Sequence, residues 1–130
     1  MLQQIKLQNF KCFKTTNIKL KNFNVICGPN SSGKTTINQS ILLHLQNNGI
    51  SKERFITNGK YVHFDDYAEI KNSAVSSDKD VVIELTNEKK QKRKIILTSE
   101  SDGKKIRCKK FTAGFDILDE KNIFYLSANR

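Results

Sequence analysis

The residues of this 130-residue sequence that are best suited to chemistry form one short run, G-P-N-S-S-G-K-T, from Gly28 to Thr35. The run matches the pattern G-x-x-x-x-G-K-[ST], whose glycines let backbone N–H groups approach a phosphate closely. In that pattern the lysine, here Lys34, bridges the β- and γ-phosphates, and the next hydroxyl, that of Thr35, is a Mg²⁺ ligand. The sequence therefore predicts a site for a nucleoside triphosphate and Mg²⁺.

The predicted phosphate site extends into the first turn of the helix that follows the loop. Amide N–H groups from Ser31 to Thr36 are expected to point at the β-phosphate, and Thr36 is expected to reach the α-phosphate. The residues predicted to bind the nucleotide from this motif are Gly28, Ser31, Ser32, Gly33, Lys34, Thr35 and Thr36, with Thr35 also on the metal. The alternative is a turn that caps a helix, but such a turn needs neither the Lys-Thr pair nor a strand before it.

Two elements must hold this loop in place. Residues 23–27, F-N-V-I-C, are β-prone, and apolar residues recur at helical spacing from Ile37 to Leu45. The run Asn47-Asn48-Gly49 is a helix stop signal, so we predict a helix over residues 34–46. Shorter strands are predicted at residues 2–8 and 17–20.

The rest of the chain is predicted to be mostly β-structure. Asn58-Gly59 suits a short hairpin turn, and residues 81–86, 94–98 and 104–111 form three strand-like runs of an antiparallel meander. A helical turn at 115–121 and an apolar strand at 123–126 would follow. This order differs from the alternating strands and helices of a nucleotide kinase or GTPase, which makes those classes the weakest alternative.

The composition indicates one domain and an anionic partner. The net charge is +10, and basic residues concentrate in the predicted meander at Lys89 to Lys94, Lys104, Lys105, Lys109 and Lys110. DNA is one predicted partner of this basic meander, since lysines neutralise phosphates. A solvated turn is the alternative, because no aromatic residues are interleaved to stack on bases.

Redox state and location also follow from the residue pattern. Cys12, Cys27 and Cys108 are widely spaced and odd in number, which predicts reduced thiols in or near the core. No apolar run approaches about 18 residues, and the sequence has no leader pattern. We therefore expect no membrane span and a cytoplasmic protein.

The N-terminal motifs resemble those of a known ATPase group. Residues 5–13, I-K-L-Q-N-F-K-C-F, and residues 24–36, N-V-I-C-G-P-N-S-S-G-K-T-T, are similar to the start of ATP-binding-cassette (ABC) ATPases of the RecF, chromosome-maintenance (SMC) and overcoming-lysogenization-defect (OLD) group. Those proteins typically begin I-x-L-x-N-F-[KR]-x-F and continue V-G-x-N-x-S-G-K-[ST]. The likeness is strong over residues 1–46 and looser at 56–62 and 124–130, which resemble OLD-like ATPases of bacterial defence.

The resemblance implies a fold, ligands and further site residues. It implies the α/β fold of a P-loop NTPase: an N-terminal ABC-ATPase lobe with a mixed sheet, an antiparallel β-meander and one principal P-loop helix, binding ATP and Mg²⁺. It places Asn30 near the γ-phosphate or a partner subunit. It also places Lys11 beside the nucleotide with Phe13 nearby, although Lys11 and Phe10 also fit a plain strand end with core aromatics.

Motifs that hydrolysis requires in this group are missing from the sequence. There is no L-S-G-G-[EQ] signature, no apolar strand ending in Asp-Glu and no switch histidine; the run before Asp119-Glu120 is interrupted by Asp116 and is interpreted as a helical turn. Asn129 or Arg130 would lie near the place of the group's Q-loop glutamine. His44 and His63 lack the partners of a catalytic histidine, so both are expected to be structural or surface residues.

These observations lead to two competing functions. In the first, residues 1–130 are the N-terminal lobe of a longer ATPase, with residues 1–46 carrying the P-loop, 51–111 a β-rich subdomain and 112–130 a return strand. That ATPase would dimerise with a second protomer and act in DNA transactions or anti-phage defence. In the second, the lobe is a non-catalytic binding or regulatory protein that serves as an interaction surface.

Overall fold

The computed structural model describes residues 2–29, 32–76 and 78–116. Its strands and helices are β1 (Leu2–Phe10), β2 (Phe13–Lys19), α1 (Lys34–Gln46), α2 (Tyr67–Ile70), β3 (Val81–Asn87), β4 (Lys92–Ser99) and β5 (Ile106–Ala113), with a short 3₁₀ helix at Lys52–Arg54. The predicted return strand at residues 123–126 and most of the predicted turn at 115–121 lie outside the described residues.

The strands form one five-stranded sheet in the order β2-β1-β3-β4-β5, and every neighbouring pair is antiparallel. The predicted mixed sheet is therefore wrong for the described residues, in which no parallel pair occurs. The predicted meander is confirmed as β3, β4 and β5, each joined to the next by a turn. The meander adds to the N-terminal hairpin through β1 and β3, which lie far apart in the sequence.

Period-two alternation gives the sheet one apolar face. Ile5 of β1 pairs with Leu85, and Leu7 pairs with Ile83, so side chains that point the same way meet across the strands. The same row continues from Ile83 to Ile95 on β4. Leucines of α1 complete this core, which consists of Ile5, Leu7, Phe10, Leu42, Leu43, Leu45, Val62, Phe64, Tyr67, Ile70, Val81, Ile83, Leu85, Ile95 and Leu97.

The segment before the P-loop is not a strand, contrary to the prediction for residues 23–27. Phe23 and Val25 are 83% and 69% exposed, and Cys27 is exposed as well. A β-prone sequence forms a strand only when a neighbouring strand takes up its backbone hydrogen bonds, and the described residues supply none to this segment. Cys12 is also exposed, so the prediction of core or near-core thiols is wrong for both cysteines.

The chain between α1 and α2 is fixed to the end of α1 by side-chain amides. Asn47 accepts a hydrogen bond from the Ile56 N–H (2.7 Å) and donates one to the Ile56 carbonyl (2.8 Å). A reversal is present close to the predicted place but later in the chain: Asn58 bridges His63 and the Gly59 N–H bonds the Val62 carbonyl at 2.8 Å, so the chain turns at residues 60–61 instead of at Asn58-Gly59. These contacts bring the 56–64 segment onto the core.

Arg93 caps the C-terminal end of α1 from inside the core. Its Nη2 donates to the carbonyls of His44 (3.2 Å) and Asn47 (3.3 Å), and its Nη1 donates to Phe115 (3.0 Å). The residue is 0% exposed, and its guanidinium lies 5.0 Å from the centre of the Phe111 ring. The last carbonyls of a helix lack intrahelical donors and carry partial negative charge, so a cation here is stabilising. Arg93 is therefore not part of the surface cluster of basic residues in which the sequence placed it.

His44 joins the same helix end to the centre of the sheet. Its Nε2 lies 3.0 Å from the Ile83 carbonyl and so donates to it, and the residue is fully buried. Burial is the largest cause that lowers the pKa of His44, to about 3, and nearby Arg93 also lowers it. His44 is thus a neutral structural residue, as the sequence predicted.

Arg93 gives a direct test of this arrangement. Replacement by Lys keeps the charge but cannot supply the two nitrogens that serve three carbonyls, so we expect a loss of about 2 kcal/mol of unfolding free energy. Arg93→Ala should lose about 3 kcal/mol or more. Urea denaturation measures both, with the exposed Lys89→Ala as a control expected to stay within about 0.5 kcal/mol. Equal stability of Arg93→Lys and the native chain would contradict the capping role.

His44 makes stability depend on pH in a defined direction. Because its folded pKa is about 3 and an unfolded histidine titrates near 6.5, the unfolded state binds more protons between these values. Stability is then present above pH 6.5 and is lost as the pH falls, by about 2 kcal/mol between pH 7 and 5. Urea denaturation at each pH should show this loss of unfolding free energy in the exposed control His63→Gln, whereas the unfolding free energy of His44→Gln should change less with pH. Identical pH profiles of the two variants would contradict the role of His44.

Candidate nucleotide-binding site

The site begins where α1 emerges from the glycine-rich loop. Gly33 has φ of 99°, in the left-handed region that glycine tolerates best, and its carbonyl accepts the first helical hydrogen bond from Ile37 at 3.1 Å. Among the described residues no side chain caps this end of α1, and its first turn contains no acidic residue. The N–H groups of Lys34, Thr35 and Thr36 therefore carry the positive end of the helix dipole without a nearby carboxylate on the helix.

The side chains of the predicted Lys-Thr-Thr run have different environments. Lys34 Nζ donates to the Gly28 carbonyl, so its ammonium reaches back to the first residue of the loop. Thr35 is exposed at the helix end, whereas Thr36 is only 8% exposed. Ser32 is exposed, and its hydroxyl packs against Gly28. An exposed hydroxyl beside a lysine and free amides is a donor set suited to a phosphate with a hard cation.

The hairpin turn between β1 and β2 packs directly against the loop. A Cβ placed on Gly33 would lie 2.6 Å from Phe13 Cζ and 3.0 Å from Cys12 Sγ, both closer than ordinary contacts. Phe10 and Phe13 are the pair that closes this two-residue turn. The N-F-K-C-F motif and the G-K-T motif, some twenty residues apart in the sequence, thus meet at one glycine. Phe13 thus packs on the glycine that precedes α1, and its expected place beside the nucleotide stays a prediction.

Lys11 occupies the same turn, but its side chain points to the other side of it. It has φ of 50°, its N–H donates to Ile70 at 2.7 Å, and its ammonium lies 4.9 Å from the centre of the Phe64 ring. Partial burial lowers the pKa of Lys11, and the carboxylate of Glu69 opposes that decrease. Phe10 is fully buried in edge contact with Phe64, 6.2 Å between ring centres, which confirms its prediction as a core aromatic. The geometry shown for Lys11 is that of a residue linking the turn to α2.

Several predicted site residues are not placed by the structure. Asn30 and Ser31, as well as Asp119, Glu120, Asn129 and Arg130, lie outside the described residues. Within the part that is described, no cluster of three or more histidine, cysteine or acidic side chains could hold a metal ion. The described part of the site is thus a phosphate-binding loop with one candidate metal ligand, Thr35.

Sequence reasoning missed two contacts that shape the site. The contact of Cys12 with Gly33 had no signal in the residue pattern, because it depends on how the hairpin packs. The burial of Arg93 did have a signal in the residue pattern. Because side chains alternate along a strand, Arg93 lies on the same face as Ile95 and Leu97, two and four residues later. The run of lysines around Arg93 hid that pattern.

A glycine-lysine-threonine loop followed at once by a helix that packs on a sheet is the arrangement expected of the P-loop class of nucleotide-binding proteins. The family model of the AAA ATPase domain matches residues 1–129, and the chain belongs to this family of ATPases. Membership implies binding of ATP and use of Mg²⁺. No curated protein matches the chain. Among the helices of the described residues, none has the length and apolar character needed to cross a membrane.

Gly33 and Gly49 form a matched pair for testing the packing of the hairpin on the loop. Both have positive φ, 99° and 71°, but a Cβ on Gly49 would meet nothing within 4 Å. Gly49→Ala should therefore cost only the backbone strain, about 1–2 kcal/mol. Gly33→Ala should cost about 1–3 kcal/mol more, because the Phe13 ring must move. Chemical denaturation of both variants measures the difference, and equal costs would contradict the contact.

Proposed function

We propose that this chain binds ATP and Mg²⁺ through residues 28–36 as the N-terminal lobe of an ABC-type ATPase of the RecF, SMC and OLD group. The observation that carries the proposal is the start of α1: an uncapped helix end without acidic residues, directly after Gly33, with Lys34 across the loop. Free amides and a lysine at a helix N-terminus match the charge of a triphosphate. The family membership and the N-F-K-C-F motif beside the loop support the assignment.

Each residue has a distinct task in this proposal. Lys34 leaves the Gly28 carbonyl and neutralises the β- and γ-phosphates, while the amides of the first turn bind the β-phosphate. The Thr35 hydroxyl coordinates Mg²⁺, which when bound neutralises charge on the phosphate oxygens. Thr36 contacts the α-phosphate from its partly enclosed position, and Asn30 is assigned to the γ-phosphate or to a partner subunit, as the resemblance implies. Lys11 positions the hairpin turn against the loop through Phe64 and Ile70.

Hydrolysis in this proposal depends on groups outside the lobe. Phosphoryl transfer is accelerated mainly by positioning the water and stabilising charge, tasks that need a carboxylate and residues from a second protomer. The sequence contains neither a signature motif nor an apolar strand that ends in Asp-Glu. The exposed Phe23, Val25 and Ile26 support an assembly in which another strand covers the segment before the P-loop. The resemblance to the group suggests a role in DNA transactions or anti-phage defence.

Replacement of Lys34 tests the site. Lys34→Ala should weaken ATP binding by about 10- to 100-fold, because it removes a charge-assisted contact with the phosphates. Thr35→Ala should weaken binding only when Mg²⁺ is present. Calorimetric titration with ATP, with Mg²⁺ and with chelator, measures these changes, and Lys79→Ala is a matched exposed lysine that should bind as the native chain does. If Lys34→Ala and the native chain bind ATP equally, the proposed function fails.

A further inference from the structure

The second face of the sheet is lined with polar and basic side chains. Lys6 of β1 pairs with Asn17 on one side and with Glu84 on the other, and Glu84 pairs with Lys94, so these residues share the face opposite the core. A groove of about 680 Å³ runs over β2, β1, β3 and the start of β4 on this face. We call it the lysine groove; its lining is Gln3, Gln4, Lys6, Asn17, Lys19, Leu20, Lys21, Glu84, Thr86, Lys90 and Lys92.

The charge of the lysine groove is strongly one-sided. Five of its lining residues are lysines and one, Glu84, is acidic. The Glu84 carboxylate lies 3.5 Å from Lys92 Nζ and 3.9 Å from Lys94 Nζ, so it forms ion pairs with lysines of β4 at one end of the groove. Within the described residues, no carboxylate pairs with Lys6, Lys19 or Lys21. Lys19 and Lys21, at the β2 end of the groove, thus present positive charge that no carboxylate among the described residues neutralises within ion-pair distance.

The neutral residues of the groove are hydrogen-bonding groups of the kind that contact phosphates and sugars. Gln4 Nε2 donates to Asn17 Oδ1 at 3.3 Å, and Lys90 Nζ donates to Gln3 Oε1 at 3.3 Å. These bonds join exposed side chains and are long, so they exchange readily for bonds to a ligand. None of the described residues that line the groove is aromatic, so they offer no platform on which an unpaired base could stack. Its chemistry fits a paired nucleic acid contacted through the backbone.

The spacing of the lysines also fits such a backbone. Lys6, Lys19 and Lys92 project from β1, β2 and β4, and Lys21 and Lys90 lie just outside the strands. The groove thus spans the four neighbouring strands β2, β1, β3 and β4, which are about 4.8 Å apart, and residues on one face of a strand repeat about every 6.6 Å. Duplex DNA carries one charge per about 1.7 Å of its axis, so several phosphates lie within the span of the groove. We propose that the lysine groove binds the sugar-phosphate backbone of duplex DNA without reading its sequence.

This surface differs from the basic cluster that the sequence indicated. Arg93 is buried at the end of α1, and Lys109 is held by Asp80 at 2.9 Å. Of the predicted cluster, Lys90 and Lys92 line the groove, and the fold adds Lys6, Lys19 and Lys21 from the N-terminal hairpin and the segment after it. The groove shares no residue with the P-loop, so the proposal does not rest on nucleotide binding.

A charge-matched comparison tests the proposal. The groove variant carries Lys6→Gln, Lys19→Gln and Lys21→Gln; the control carries Lys52→Gln, Lys79→Gln and Lys104→Gln, exposed residues outside the groove. Fluorescence anisotropy with a labelled 20-base-pair duplex over a salt series measures affinity. The groove variant should bind on the order of 100-fold more weakly near 0.15 M salt, and its salt slope should fall by about 0.9 per lost phosphate contact. The control should stay within a few-fold of the native chain.

Other outcomes are equally decisive. Equal losses in both triple variants would mean that net charge alone drives binding and would overturn the proposal. It would also be overturned if the groove variant kept its affinity for DNA but lost binding to vesicles of anionic lipid. Lys6 is partly buried, so the triple variant could unfold. In that case the double variant Lys19→Gln with Lys21→Gln, which changes only exposed residues, replaces it in the DNA titration. The groove variant should bind ATP as the native chain does, which separates this test from that of the nucleotide site.

Discussion

The bond between Arg93 and the C-terminal end of α1 is the constraint on which the rest of the structure depends. The helix that carries the P-loop ends inside the protein, where the carbonyl groups of His44 and Asn47 each accept one backbone hydrogen bond of 3.2 Å, from Asn47 and Ile50, and Arg93 supplies a second donor to each. A guanidinium is the one side chain that offers several N–H donors and a permanent charge at such a position. Because Arg93 belongs to the central meander, it joins α1 to the sheet and sets the distance between the loop and the β-structure.

The opposite end of α1 is fixed in a different way, by contact instead of by hydrogen bonds. The turn between β1 and β2 packs on Gly33. A residue with a Cβ at this position would clash with the Phe13 ring, so the contact requires glycine. A helix held at both ends cannot move along its axis, so its first-turn amides keep a constant position relative to the loop. Preorganisation of this kind lowers the cost of binding an anion, since the donors need no rearrangement.

The two faces of the sheet carry side chains of different chemical character, one apolar and one basic. The apolar face packs α1 and so positions the P-loop, while the lysine groove occupies the opposite face. Both sets of side chains come from the same strands, because residues that alternate along a strand point to opposite faces. A one-residue shift in register would bury the lysines and expose the core, so the burial of Ile5, Leu7, Ile83 and Leu85 also fixes the groove.

The sequence by itself determined the phosphate loop, the helix over residues 34–46 and the meander, because each depends on local signals: a contiguous motif, a 3.6-residue period and alternation between turns. It did not determine whether residues 23–27 form a strand, since that depends on a neighbour, nor that every strand pair described is antiparallel. Only the tertiary structure decided that Arg93 is a buried cap, that Cys12 contacts Gly33 and that Lys6 and Lys92 share a groove. These relations join residues far apart in the chain, and no local pattern encodes the packing that brings them together.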